Sequence, residues 1–201
     1  MHVPDSKVDR LGLVLDFSWQ ILFERICSGR IEINKESSLQ LHYSVVLHGV
    51  GESLCIHPDE DFRIELESAH GGKNIDITCS LGGISAAVEL KCFRKRSNRA
   101  KDTDMYDVLL DLERLHSLPD LNLKRFFCLT DNEYYPNGPH NGLAGSVSIR
   151  QGVTYAKQVP ITPSWAGRWK DSGRDRGIIL QSDVCFDWTG KSGWHFLKID
   201  L

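Results

Sequence analysis

Apolar residues recur at three- and four-residue spacing across positions 11–27 (Leu11, Val14, Leu15, Trp19, Leu22, Ile26), which predicts an amphipathic helix ended by Gly29. Positions 30–34 read as a short extended link. A second helix is predicted from Asn34, a good N-cap, to about His48 before Gly49. Its buried stripe holds Leu39, Tyr43, Val46, Leu47 and Val50, and Glu36 and Gln40 project from the same side at its N-terminal end. A first-turn acid suits the helix dipole, but an acid on the apolar side of a helix is unusual.

The period then drops to two. Positions 61–68 carry F-R-I-E-L-E, a strand with Phe62, Ile64 and Leu66 inward. Beyond Gly71-Gly72, positions 74–93 form two alternating arms around Gly82-Gly83, a pair able to supply the positive φ angles of a tight hairpin. A turn there opposes Ile77 to Val88, Asp76 to Glu89 and Asn74 to Lys91. Asp76, Glu89 and Lys91 then share one face, and Ile75, Ile77, Val88 and Leu90 the other.

A third helix is predicted over 104–117, capped by Asp102 or Thr103, with Met105, Val108, Leu109, Leu112 and Leu115 inward. A buried strand follows at 124–130. The order β-β-β-α-β implies an α/β (α+β) fold: a central mixed sheet with helices packed on it. Turn signals dominate 131–177, with one short strand near 145–149. Strands at 178–180, 184–188 and 194–201 close the chain, the last two joined through T-G-K-S-G. The expected organisation is a single domain, with a core at 11–130 and a β-rich extension at 131–201.

Composition adds boundaries. At 201 residues with 41% hydrophobic and 25% charged, the chain can bury a substantial core. A net charge of −3 means that any grip on a polyanion must come from a local basic surface. The run Arg94, Lys95, Arg96, Arg99 and Lys101 offers one, unless it is simply a solvated loop. Trp165, Arg168, Trp169 and Lys170 interleave aromatic and basic residues, which suits nucleic acid, or equally tryptophans packed over a sheet edge. No apolar run reaches the ~20 residues of a membrane span, and no signal-peptide pattern opens the sequence. The six cysteines lack metal-type spacing and read as reduced core residues, so the expectation is a cytoplasmic protein without a membrane partner.

Like charges directly opposed on a hairpin are destabilising. A divalent cation between Asp76 and Glu89 would remove that conflict, and carboxylates suit Mg2+ or Mn2+. The bland alternative is a surface charge cluster that Lys91 offsets. The whole arrangement resembles the PD-(D/E)xK superfamily, the restriction-endonuclease-like nucleases. Asp76 falls at the family's metal-binding aspartate, Glu89-Leu90-Lys91 at its E-x-K, and N-K-E-S-S-L-Q resembles the helix that brings a further acid. The resemblance covers roughly 11–130 and departs at Ile75, where many members have proline. It implies metal-dependent phosphodiester cleavage, usually of DNA, and frequent dimerisation. Catalysis would fall to Asp76, Glu89, Lys91 and Glu36, metal binding to Asp76, Glu89 and Leu90, with Gln40 supporting. Lys91 is expected to act in the chemistry more than on the metal. Arg94, Lys95, Arg96, Arg99, Lys101, Arg168 and Lys170 would hold phosphates. From another class stands a catalytically silent version of the fold, binding nucleic acid or a protein.

Overall fold

The computed structural model describes residues 3–70, 73–166, 174 and 176–201. Helices α1 (Lys7–Cys27) and α2 (Glu36–Ser53) precede strands β1 (Phe62–His70), β2 (Lys73–Leu81) and β3 (Ile84–Phe93). Helix α3 (Lys101–Ser117) leads to β4 (Leu123–Thr130), and a one-turn α4 (Tyr134–Asn137) follows. The remaining strands are β5 (Thr154–Tyr155), β6 (Val184–Cys185), β7 (Trp188–Lys191) and β8 (Trp194–Asp200). Hydrogen bonds order six of the strands β1-β2-β3-β4-β8-β7. The β1/β2, β2/β3 and β7/β8 pairs are antiparallel, and the helical crossover between β3 and β4 makes the sheet mixed. The architecture is α+β.

Two compact units share the chain. The first comprises Met1–Cys92, Leu118–Phe127 and Asp200, the second Phe93–Ser117, Cys128–Ile199 and Leu201. In the first, α1 and α2 pack on each other, α2 on β1 and β2, and α1 on β2. Leu11, Leu15, Leu22, Leu39, Leu47, Ile77 and Val88 are fully buried there, each worth about 1.5–3 kcal/mol of apolar burial. Trp19 stacks on Phe127 at 4.5 Å and meets Tyr43 edge-on at 6.0 Å. The second unit buries the α3 stripe that the sequence predicts: Met105, Val108, Leu109, Leu112 and Leu115.

The hairpin forms in the predicted register. Gly82 and Gly83 have φ of 52° and 87°, the two positive angles that a tight two-residue turn requires. Leu81 then pairs with Ile84, and Ile77 with Val88.

Other boundaries differ. Helix α2 starts at Glu36 and continues through Gly49 and Gly51 to Ser53. Instead of an Asn34 side-chain cap, the Ser38 hydroxyl accepts from the Asn34 and Lys35 N–H groups. A Cβ on Gly51 would stand 2.2 Å from the Phe62 ring, so this glycine permits close packing of the helix on β1. Helix α3 begins at Lys101, earlier than predicted. In β1, an edge strand, Phe62 is buried but Leu66 is 45% exposed. Residues 145–149 give a 3-10 turn (Ala144–Val147) in place of a strand. Positions 178–180 contribute a single bridge, Ile161↔Ile178. The last hairpin turns at Ser192-Gly193 (φ 53° and 78°), so Thr189–Lys191 are strand and not loop. All six cysteines are free thiols, and among the described residues no helix is long and apolar enough to cross a membrane.

Candidate acidic site on the central hairpin

Asp76 lies one residue beyond the Ile77↔Val88 pair. There its own carboxylate enters the hydrogen bonding: Oδ2 accepts the Leu90 N–H at 2.6 Å. Glu89, the preceding residue on β3, is 4% exposed. The Lys91 ammonium donates to Glu89 Oε1 at 3.5 Å and to the Leu90 carbonyl at 3.4 Å. It also pairs with Glu36 Oε1 at 3.8 Å. Lys91 thus stands among three oxygens from two elements.

Helix α2 supplies the rest. Glu36 is its first residue and Gln40 lies one turn on, on the same side. Gln40 Nε2 donates to the Asp76 carbonyl and to Glu67 Oε1, both at 2.8 Å. All six hairpin and helix residues expected from the sequence (Glu36, Gln40, Asp76, Glu89, Leu90 and Lys91) therefore meet within the first unit.

Glu67 was not foreseen. It sits opposite Asp76, since Leu66↔Ile77 and Ser68↔Ile75 flank that position. Its φ is 53°, a left-handed value inside a strand, a strain of roughly 1–3 kcal/mol for a residue with a Cβ. Nothing in the period-two pattern marks that break.

Burial pushes the Asp76 carboxyl up to about 6. The Leu90 N–H and Lys91 pull it down, and Glu36 and Glu67 push it further up. Two carboxylates and a peptide carbonyl are hard oxygen donors, the set that Mg2+ or Mn2+ takes. A cation would also relieve the buried charge. Among the described residues, though, no three His, Cys, Asp or Glu side chains stand ready-grouped for a metal; Lys91 holds the space between Glu89 and Glu36 instead.

The basic run belongs to the second unit. Arg94 is taken up structurally: its guanidinium bonds Asp131 Oδ2 at 2.9–3.0 Å and lies 4.7 Å from the Trp194 ring centre. Burial would raise the Asp131 carboxyl, but Arg94 and the Lys95 N–H hold it below its ordinary range. Arg99 pairs with Asp104 at 2.8 Å and Lys101 lies over the Tyr134 ring. The Lys95 and Arg96 side chains are exposed. Trp165 is buried, its indole N–H bonded to the Arg174 carbonyl at 2.7 Å, so it packs inside. Arg168, Trp169 and Lys170 lie outside the described residues.

Set against family models, curated proteins and solved structures, the chain matches none of them.

Proposed function

We propose that this cluster is the catalytic site of a metal-dependent nuclease hydrolysing phosphodiester bonds, in DNA first. The observation that carries the reading is the meeting of Asp76, Glu89, the Leu90 carbonyl and the Lys91 ammonium where the β2/β3 pairing ends. Asp76, Glu89 and Leu90 would hold Mg2+ or Mn2+. When bound, the ion would supply positive charge against the scissile phosphate and acidify a water.

The chain's own groups take the other roles. Lys91 Nζ, within 3.5 Å of Glu89 Oε1, is a donor for a phosphate oxygen or the proton partner of a water. Glu36, 41% exposed on its side chain, faces solvent from the helix start and can orient that water. Gln40 fixes the Asp76 backbone. Lys95 and Arg96 are the residues for sequence-independent phosphate contact, with Arg94 keeping its place on Asp131.

A catalytically silent module is the second reading. It is favoured by Lys91 already countering Glu89 and Glu36. Supercoiled plasmid and single-stranded RNA, incubated with Mg2+ or Mn2+, separate the two. Cleavage that is lost in Glu89→Gln and Lys91→Met while the circular dichroism spectrum is kept supports the nuclease. No cleavage of either substrate together with no calorimetric Mn2+ binding would leave the silent module.

A further inference from the structure

Among the described residues, four non-glycine residues have positive φ: Glu67, Asp120, Gln158 and Ser192. Three lie in turns or bends, whereas Glu67 lies within a strand. That conformation has a consequence for its neighbours. The Ser68 hydroxyl meets that of Thr78 at 2.7 Å, although Ser68 pairs with Ile75 and Thr78 with Glu65. Strict alternation would not bring those hydroxyls to one face. The same break delivers the Glu67 carboxylate to Gln40.

A primary amide has two N–H donors on its nitrogen. In Gln40 one goes to Glu67 Oε1 and the other to the Asp76 carbonyl, each at 2.8 Å. The bond to a carboxylate is the stronger kind and orients the amide plane. Asp76 in turn directs its Oδ2 to the Leu90 N–H. A chain of hydrogen bonds therefore runs from β1 through α2 to β2 and on to β3.

We propose that Glu67 is a positioning residue of the acidic site: its carboxylate holds the Gln40 amide on the Asp76 carbonyl and so aims the Asp76 carboxylate at Leu90. The inference rests on Asp76 being a site residue, as proposed above. An unfavourable backbone conformation kept beside such a group is the pattern expected where geometry serves a site. Glycine would adopt the same φ without strain. Glutamine would keep an acceptor oxygen for Gln40 and remove only the charge.

The test is amide hydrogen exchange of the metal-free protein, read at Leu90 with Val88 as the internal control. In Glu67→Gly, Leu90 exchange should quicken about two- to tenfold, as expected for loss of one net hydrogen bond, while Val88 is unchanged. Glu67→Gln should restore wild-type exchange. Gln40→Ala, which opens the same link from the helix, should reproduce the Gly variant and guards against a folding defect at position 67. Unchanged Leu90 exchange in both Glu67→Gly and Gln40→Ala would overturn the proposal, as would a Gln variant as fast as the Gly one. Mn2+ affinity by calorimetry should fall in Glu67→Gly and be regained in Glu67→Gln. A wild type that binds no Mn2+ refutes the nuclease reading alone, because the exchange result stands without metal.

Discussion

Replacing Asp76 by asparagine should stabilise this protein at neutral pH. The Asp76 carboxyl titrates at about 6 in the fold against 3.8 in the open chain, burial being the main cause. A carboxyl with a raised folded value binds its proton more tightly in the fold. Its contribution to stability is therefore complete below about pH 4 and is lost as pH rises through about 6. The difference of roughly two units, at about 1.4 kcal/mol each, makes the ionised group about 3 kcal/mol less favourable at neutral pH. Asparagine mimics the protonated form and keeps an oxygen for the Leu90 N–H. Urea unfolding at about pH 7.5 should give Asp76→Asn an advantage of about 2–3 kcal/mol, shrinking to near zero at about pH 4. Mn2+ should cancel that advantage. At about 100 times its Kd the ion adds about 2.7 kcal/mol to the wild type and nothing to the variant. An Asp76→Asn protein no more stable at neutral pH, or an advantage equally large in acid, would refute the electrostatic account.

Lys91→Met should raise Mn2+ affinity while abolishing cleavage, since the ammonium now occupies the oxygens of Glu89, Leu90 and Glu36; calorimetry beside a plasmid assay reads both, and unchanged affinity would count against competition. Arg94→Ala should lower unfolding stability by about 1–3 kcal/mol through loss of the Asp131 bonds. Lys95→Ala with Arg96→Ala, both on exposed side chains, should cost little stability and make the salt dependence of nucleic-acid binding shallower by about 0.9 per lost contact. A salt slope that stays at the wild-type value would remove both residues from the phosphate-binding set.

Hairpin register was legible in the sequence because everything that sets it is local. Two glycines can take φ of 52° and 87° where other residues resist, and the period of two then assigns a face to every residue from Ile77 to Val88. The apolar stripes of α1 and α3 were legible for the same reason, and so was the presence of Glu36 and Gln40 on one side of α2. What the alternation could not reveal is which pairs would break it. Glu67 takes a left-handed φ although its neighbours Leu66 and Ser68 stay in register, and only the approach of Gln40 from a distant helix gives that conformation a use. Gly49 read as a helix stop, yet α2 runs through it to Ser53, and Gly51 lets the Phe62 ring lie against the helix. Arg94 is indistinguishable in sequence from Lys95 and Arg96, yet Asp131 and Trp194, remote along the chain, take its guanidinium. Local sterics and periodicity act between residues a few positions apart, and so they can be read from order alone. Burial, ion pairing and the ionisation of Asp76 depend on which distant groups share the space around a side chain, and that is decided only when the chain folds.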